Sequence, residues 1–229
     1  MADRPYTLLS CSMSLDGYLD GASDQRVILS NDADLDRVDA VRAGCDAILV
    51  GAATVRNDNP RLVVRSPARV DERLRRGLTP TPLKVTLTER AKLDPGAAFF
   101  TLGETEKLVY CTCDTVDDAR AALAPVATVV DGGQPVEMRW LSEDLHSRGV
   151  RRLMVEGGGT VLTQFLTAGL ADELHLVVAP FFIGDSQAPR FVCDGRFPWD
   201  QDRRATLVEA RTVGDVVLMR YALSTRCRD

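Results

Sequence analysis

The chain has little of what metal and redox centres are built from. Its 229 residues include six cysteines and two histidines. The cysteines, Cys11, Cys45, Cys111, Cys113, Cys193 and Cys227, form no CxxC pair. Zinc-ligand spacing is therefore absent, no metal is expected, and the thiols are expected reduced and buried. His175 stands alone at an alternating position in ELHLVV, which reads as a structural histidine on a strand. Excess positive charge is also missing. Lys and Arg number 28 against 33 Asp and Glu, a net charge of −5 with the signs interspersed. Such a surface builds no field for nucleic acid or anionic lipid. No apolar run approaches the roughly 20 residues of a membrane span. The polar opening MADRPY lacks the charged and apolar regions of a signal peptide, so a cytoplasmic location is expected.

What the chain does have is 45% hydrophobic residues and a regular rhythm. Short β-rich runs (YTLLSCSM, AILVG, PLKVTL, KLVYC, ATVVD, RRLMVEG, DELHLVVAP) alternate with helical patterns (DADLDRVDAVRAG, VDDARAALA, WLSEDLHSRG, TVLTQFLTAGL). This order predicts an α/β fold with a mainly parallel central sheet flanked by helices. The tail RATLVEARTVGDVVLMRYAL reads as two alternating strands around a Gly-Asp turn, an antiparallel C-terminal hairpin. Asn31 and Asp32 read as the start of the first helix, with its end near Ala43 and Gly44. The Arg- and Pro-rich interval from Ser66 to Pro82 reads as a surface loop. Nothing divides the chain, and a single domain over 1–229, with its core at about 6–223, is expected.

In sheets of this kind ligands collect beyond the carboxyl ends of the strands. Three stretches fall there. The first, RRLMVEGGGTVLTQFL, puts a glutamate and three glycines between a strand and a helix. It reads either as a tight turn or as an anion site, where backbone N–H groups at a helix N-terminus receive a phosphate. It is not GxGxxG, because Leu162 stands three residues after Gly159, and no Walker lysine follows. The second, VGAATVRNDNPRLVVR, offers a hydroxyl, a carboxylate and a guanidinium beside one sheet edge, suited to a polar substrate, or else a capped turn. The third, SMSLDGYLDG, carries Asp-Gly twice and reads as a bent loop after the first strand.

In this order and at these spacings, SLDG, VGAATVRNDNPRLVVR and VEGGGTVLTQFL resemble the reductase domain of bacterial riboflavin biosynthesis, from about Tyr6 to Leu223. The resemblance implies a dihydrofolate-reductase-like fold, a homodimer, and NADPH-dependent reduction of the ribosyl group of an aminopyrimidine, such as 5-amino-6-(5-phosphoribosylamino)uracil, by hydride transfer to C1′. It implies cofactor contacts at Met13, Thr54, Asp58 and the segment Gly158, Gly159, Thr160, Val161, Leu162, Thr163 and Gln164. It also implies substrate contacts at Leu62, Arg65 and Glu156. Asp58 and Glu156 are the expected catalytic carboxylates. From residue chemistry, Thr88 and Arg90 after PLKVTL are assigned to the adenosine 2′-phosphate. No HxE with PCxxC occurs, so no deaminase domain is expected. Ser10 stands where the family usually carries a substrate-binding lysine. Two further readings therefore stay open: an NADPH reductase for a pterin, folate-like or secondary-metabolite pyrimidine, and a non-catalytic nucleotide-binding module.

Overall fold

A computed structural model describes residues 3–22 and 27–227. In chain order the strands are β1 (Tyr6–Ser14), β2 (Ala47–Gly51), β3 (Leu83–Thr88), β4 (Lys107–Cys111), β5 (Thr128–Asp131), β6 (Arg152–Val155), β7 (Glu173–Ala179), β8 (Thr206–Val213) and β9 (Val216–Ala222). The helices are α1 (Asp32–Ala43), α2 (Ala52–Asp58), α3 (Pro67–Arg75), α4 (Ala98–Thr101), α5 (Val116–Leu123), α6 (Met138–Ser147) and α7 (Gly159–Thr167). The chain forms two compact units. One comprises the described residues of Met1–Pro5 and Asp39–Met154, the other those of Tyr6–Val38 and Val155–Asp229.

In the first unit the strand order is β5-β4-β3-β2-β6. β2, β3, β4 and β5 pair in parallel, with Gly51 opposite Leu87 and Thr88 opposite Cys111. The core gathers Ile48, Val50, Val55, Leu62, Phe99 and Val109. β2 is buried at all five positions, as a continuous apolar strand of a parallel sheet should be. On β3 the alternation is unusual. Lys84 and Thr86 are fully buried and Thr88 is nearly so, which gives this central strand a polar face turned inward.

In the second unit the order is β1-β7-β9-β8, with β1 and β7 parallel and the β7–β9 and β9–β8 pairs antiparallel. The expected C-terminal hairpin is present and turns at Gly214, which takes a positive φ of 64°. Its register slips between Leu207 and Glu209, a bulge on the edge strand β8. Asn31 caps α1 by accepting the Asp34 N–H at 2.9 Å. A polar row crosses this sheet: Ser10 is paired in register with His175, and His175 with Arg220. His175 Nε2 lies 2.8 Å from Glu173 Oε1, and the Arg220 guanidinium donates to the same carboxylate at 2.7 Å.

Three expectations need correction. The interval Ser66–Pro82 is not all loop, because Pro67 opens α3 and its fixed φ suits a first helical turn. The fully buried Arg73 of α3 donates to the carbonyls of Ala43, Cys45 and Thr79, taking up acceptors that the end of α1 leaves open. The residues after AILVG form α2 directly, before the turn at Asn59. All six cysteines are free, but Cys113 and Cys193 are exposed and Cys227 is half-buried; Cys113 lies beyond β4, which ends at Cys111.

Candidate active site

In the first unit the candidate residues sit at the carboxyl ends of β2 and β3. Gly51 ends β2 and serves as the N-cap of α2, so the chain enters the helix with no connecting loop. Ala52 and Val55 face the core. Thr54 and Asp58, four residues apart, share a neighbouring, half-buried face. Arg56 donates to the Lys92 carbonyl at 3.2 Å and ties α2 to the segment after β3. There Thr88 is buried and its hydroxyl accepts the Arg90 N–H at 3.3 Å, while Arg90 is exposed.

The segment that follows α2 is held by charges. Asn59 takes a left-handed φ of 44° and accepts the Ala98 N–H at 2.7 Å, capping α4. Leu62 has a φ of 47°, rare for a branched residue, with its side chain 2% exposed in the core. A ligand at Leu62 would therefore meet its backbone. Arg65 has a half-exposed side chain whose Nε lies 3.7 Å from Asp39 Oδ1, and its N–H donates to the same oxygen at 2.6 Å. Asp39 is almost wholly buried. It also accepts the Ser66 N–H at 3.2 Å and the Arg69 guanidinium at 2.9 Å. Burial pushes the Asp39 carboxyl up, but the N–H donors of Arg65 and Ser66 and the Arg69 charge outweigh it and hold it below the ordinary range.

In the second unit the glycine triplet divides into distinct jobs. Gly157 is buried with a φ of 138°, and a Cβ built on it would meet nothing within 4 Å, so its backbone lines an open cradle. Gly158 is the N-cap of α7 with a φ of 85°. Gly159 is bare for packing: a Cβ there would lie 2.5 Å from the Arg190 carbonyl oxygen. The first helical bond shown by α7 is Leu162 N–H to the Gly158 carbonyl, so the N–H groups of Gly159, Thr160 and Val161 precede the helical ladder. Val161, Leu162 and Thr163 send their side chains inward. The Thr163 hydroxyl donates to the Gly159 carbonyl at 2.7 Å and accepts the Cys193 N–H at 2.8 Å. Any cofactor contact from these three therefore runs through backbone. Thr160 is exposed, and Gln164 keeps a buried Oε1 with no hydrogen-bond partner. Glu156 is half-buried just ahead of the triplet.

The SLDG turn belongs to the same neighbourhood through residues that sequence reasoning missed. Phe191 N–H donates to the Gly17 carbonyl, Leu19 N–H to the Pro189 carbonyl, and the Arg190 guanidinium lies 5.1 Å from the Tyr18 ring centre. The backbone of 189–191 thus joins the turn to the start of α7. Asp16 acts as a staple, accepting N–H groups of Ile183 and Gly184 and the Ser14 hydroxyl. Against the upward push of desolvation these donors hold its carboxyl at about 2. Met13 is half-buried at the end of β1. No sequence signal marked Arg190, whose contribution is a carbonyl.

The buried, orphaned Gln164 oxygen, the cradle at Gly157 and the N-terminus of α7 suit a dinucleotide's polar groups. Among the described residues no cluster of His, Cys, Asp or Glu could hold a metal, and no helix is long and apolar enough to cross a membrane.

Comparison with known proteins agrees with this geometry. The chain is 39% identical over 193 residues to the 2,5-diamino-6-ribosylamino-4(3H)-pyrimidinone 5′-phosphate reductase of Archaeoglobus fulgidus, covering 84% of this chain and 87% of that protein. It is 33% identical over 223 residues to the protein of that name from Methanothermobacter thermautotrophicus, covering 96% and 99%. A pyrimidine reductase-like protein of Corynebacterium diphtheriae shares the fold with a TM-score of 0.80 at 24% identity, over 95% of this chain and 91% of that one. The α/β fold is dihydrofolate-reductase-like, with a mostly parallel sheet and antiparallel C-terminal strands. Residues 5–219 match the RibD C-terminal domain, and the chain belongs to that family of riboflavin-biosynthesis reductases.

Proposed function

We propose that the chain is an NADPH-dependent reductase, a single reductase domain that converts the ribosyl group of 2,5-diamino-6-ribosylamino-4(3H)-pyrimidinone 5′-phosphate to a ribityl chain. The observation that carries this reading is the match to two reductases of that name along nearly their whole length. The deaminated uracil is the second reading, favoured by the three-motif likeness to the bacterial reductase domain. A cytoplasmic homodimer is in keeping with the family resemblance.

NADPH, when bound, supplies a hydride to C1′ of the open-chain imine, and a proton on the adjacent nitrogen completes the amine. The residues assigned to hold it are Met13, Thr54, Asp58, Thr88, Arg90, the segment Gly158–Thr163 and the Gln164 side chain. Thr88 and Arg90 are assigned to the adenosine 2′-phosphate: the Thr88 hydroxyl accepts the Arg90 N–H and keeps its own O–H to donate. Asp58 orients the reacting groups and assists ring opening and proton delivery. Glu156 pairs with amino groups of the pyrimidine, and Arg65 with the substrate phosphate.

The test follows NADPH absorbance at 340 nm with the diaminopyrimidinone, the uracil and dihydrofolate. Turnover is expected on the first, weaker or none on the second and none on dihydrofolate. Asp58→Asn should lower kcat about 100-fold or more without a change in melting temperature. Turnover on dihydrofolate alone, or wild-type kcat in Asp58→Asn, overturns the corresponding assignment.

A further inference from the structure

The central strand β3 buries an ammonium that no carboxylate among the described residues neutralises. Lys84 is 0% exposed, and its Nζ donates to the carbonyls of Arg61 at 2.6 Å, Leu102 at 2.7 Å and Phe99 at 3.1 Å. The Phe99 ring centre lies 5.8 Å away. Three donors meet three acceptors, so the hydrogen-bonding capacity of the ammonium is used in full. A buried cation is costly unless it is well solvated by the protein. Methionine would fill the same space without that cost, so packing alone gives no reason for a lysine.

The acceptors give the reason. Arg61 is next to Leu62, the residue with the left-handed φ, and four residues before Arg65. Arg42 donates to the Val63 carbonyl at 3.4 Å, and Asp39 accepts the N–H groups of Arg65 and Ser66. Between them, three charged side chains from β3 and α1 bind the carbonyls of Arg61 and Val63 and the N–H groups of Arg65 and Ser66. A segment so held has its path dictated by charges outside it.

We propose that Lys84 is a positioning residue for substrate binding: its buried ammonium fixes the backbone path of Arg61–Arg65 and thereby the placement of the Arg65 guanidinium. The inference rests on Arg65 contacting the substrate. It adds that a side chain remote from the substrate sets its affinity and makes that affinity depend on pH. Burial pulls the Lys84 ammonium down to about 8, helped by the charges of Lys107 on β4 and Arg42 on α1. Lys107 itself donates to the Gly103 carbonyl at 3.1 Å. Among the described residues these two cations are the charged groups that act on Lys84 from the elements around it. Once deprotonated, Lys84 keeps two donors for three carbonyls and one contact is lost.

The experiment measures KM for the diaminopyrimidinone and KM for NADPH from pH 7 to 9.5 in wild type, Lys84→Arg and Arg65→Ala. At pH 9 roughly one tenth of Lys84 stays charged, so wild-type substrate KM should rise up to about tenfold while NADPH KM stays level. In Lys84→Arg the charge is permanent and the alkaline rise should vanish, whereas a rise caused by the substrate's own titration would persist. A flat wild-type profile, or an equal rise in Lys84→Arg, overturns the proposal. If Lys84→Arg fails to fold, amide exchange of residues 61–66 in the wild-type protein decides. Protection, corrected for intrinsic rates, should fall above pH 8, and constant protection overturns it. Arg65→Ala separates the two ideas: unchanged substrate KM at pH 7 refutes the substrate role of Arg65 itself, whatever Lys84 does.

Discussion

Removing the negative charge of Asp39 should loosen the same segment from its other end. Asp39 is 1% exposed and its two oxygens accept from the backbone of Arg65 and Ser66 and from the Arg69 guanidinium. Asn at this position is isosteric, but it presents one accepting oxygen and an NH₂ group that would face an N–H or a guanidinium. Each charge-assisted bond contributes roughly 1.5–3 kcal/mol, and a donor left buried without a partner costs about 1–3 more. Allowing for relaxation of the half-exposed Arg65, Asp39→Asn should cost about 3 kcal/mol. For a chain of this size that lowers Tm by roughly 6–12 °C. The assay is thermal unfolding at pH 7, repeated at lower pH. Because the Asp39 carboxyl is held below its ordinary range in the folded state, its contribution is fully present above the unfolded pKa. It is lost as pH falls through the folded value, so the gap between wild type and variant should narrow below about pH 4. A variant melting within about 2 °C of wild type at pH 7 would refute the clamp.

Two further outcomes follow from the second unit. Gly159→Ala should cost about 1–3 kcal/mol, because its Cβ meets the Arg190 carbonyl, and it should weaken NADPH binding measured by fluorescence titration; normal melting and normal affinity together would remove the packing role. Glu173 is buried, and although burial raises its pKa, bonds from His175, Arg220 and Tyr6 bring it to about 2. Its contribution, roughly 3 kcal/mol, should be complete above about pH 4.3 and disappear as pH falls toward 2. Urea midpoints of wild type and Glu173→Gln should therefore converge in acid, and parallel curves would contradict this.

Much of the fold is legible because periodicity follows from burial. β2 reads as a strand since every residue faces apolar neighbours, and α1 announces itself through Asn31. The C-terminal hairpin is visible in its alternation and its glycine turn. What escapes are the elements whose reason lies elsewhere in the chain. α3 is Arg- and Pro-rich, so its composition imitates a loop, and the fully buried Arg73 makes sense only beside the carbonyls of Ala43 and Cys45. In PLKVTLT the polar positions alternate as they would on a solvent-facing strand, yet Lys84, Thr86 and Thr88 are buried.

The site motifs are likewise visible in part. VEGGG reads from sequence as either a tight turn or an anion site, whereas in the structure Gly157 lines an open cradle, Gly158 starts the helix and Gly159 makes room for a carbonyl 31 residues later. No local pattern encodes a distant main-chain oxygen. SLDG reads from sequence as a bent loop, and what holds the bend is distant in the chain: its aspartate accepts the N–H groups of Ile183 and Gly184. Cys193 also has a part that composition could not suggest, because its N–H is the partner that orients the Thr163 hydroxyl.

The central claim is hydride transfer from NADPH to C1′ of a ribosylaminopyrimidine phosphate, and deuterium tracing tests it most directly. The purified chain is incubated with the diaminopyrimidinone and NADPH carrying deuterium at both C4 positions of the reduced nicotinamide, and the product is read by mass spectrometry and NMR. The account predicts a ribitylamino product with one deuterium at C1′. A product without deuterium at C1′, or no reduction of either the diaminopyrimidinone or the uracil while another pyrimidine or pterin is turned over, would contradict it.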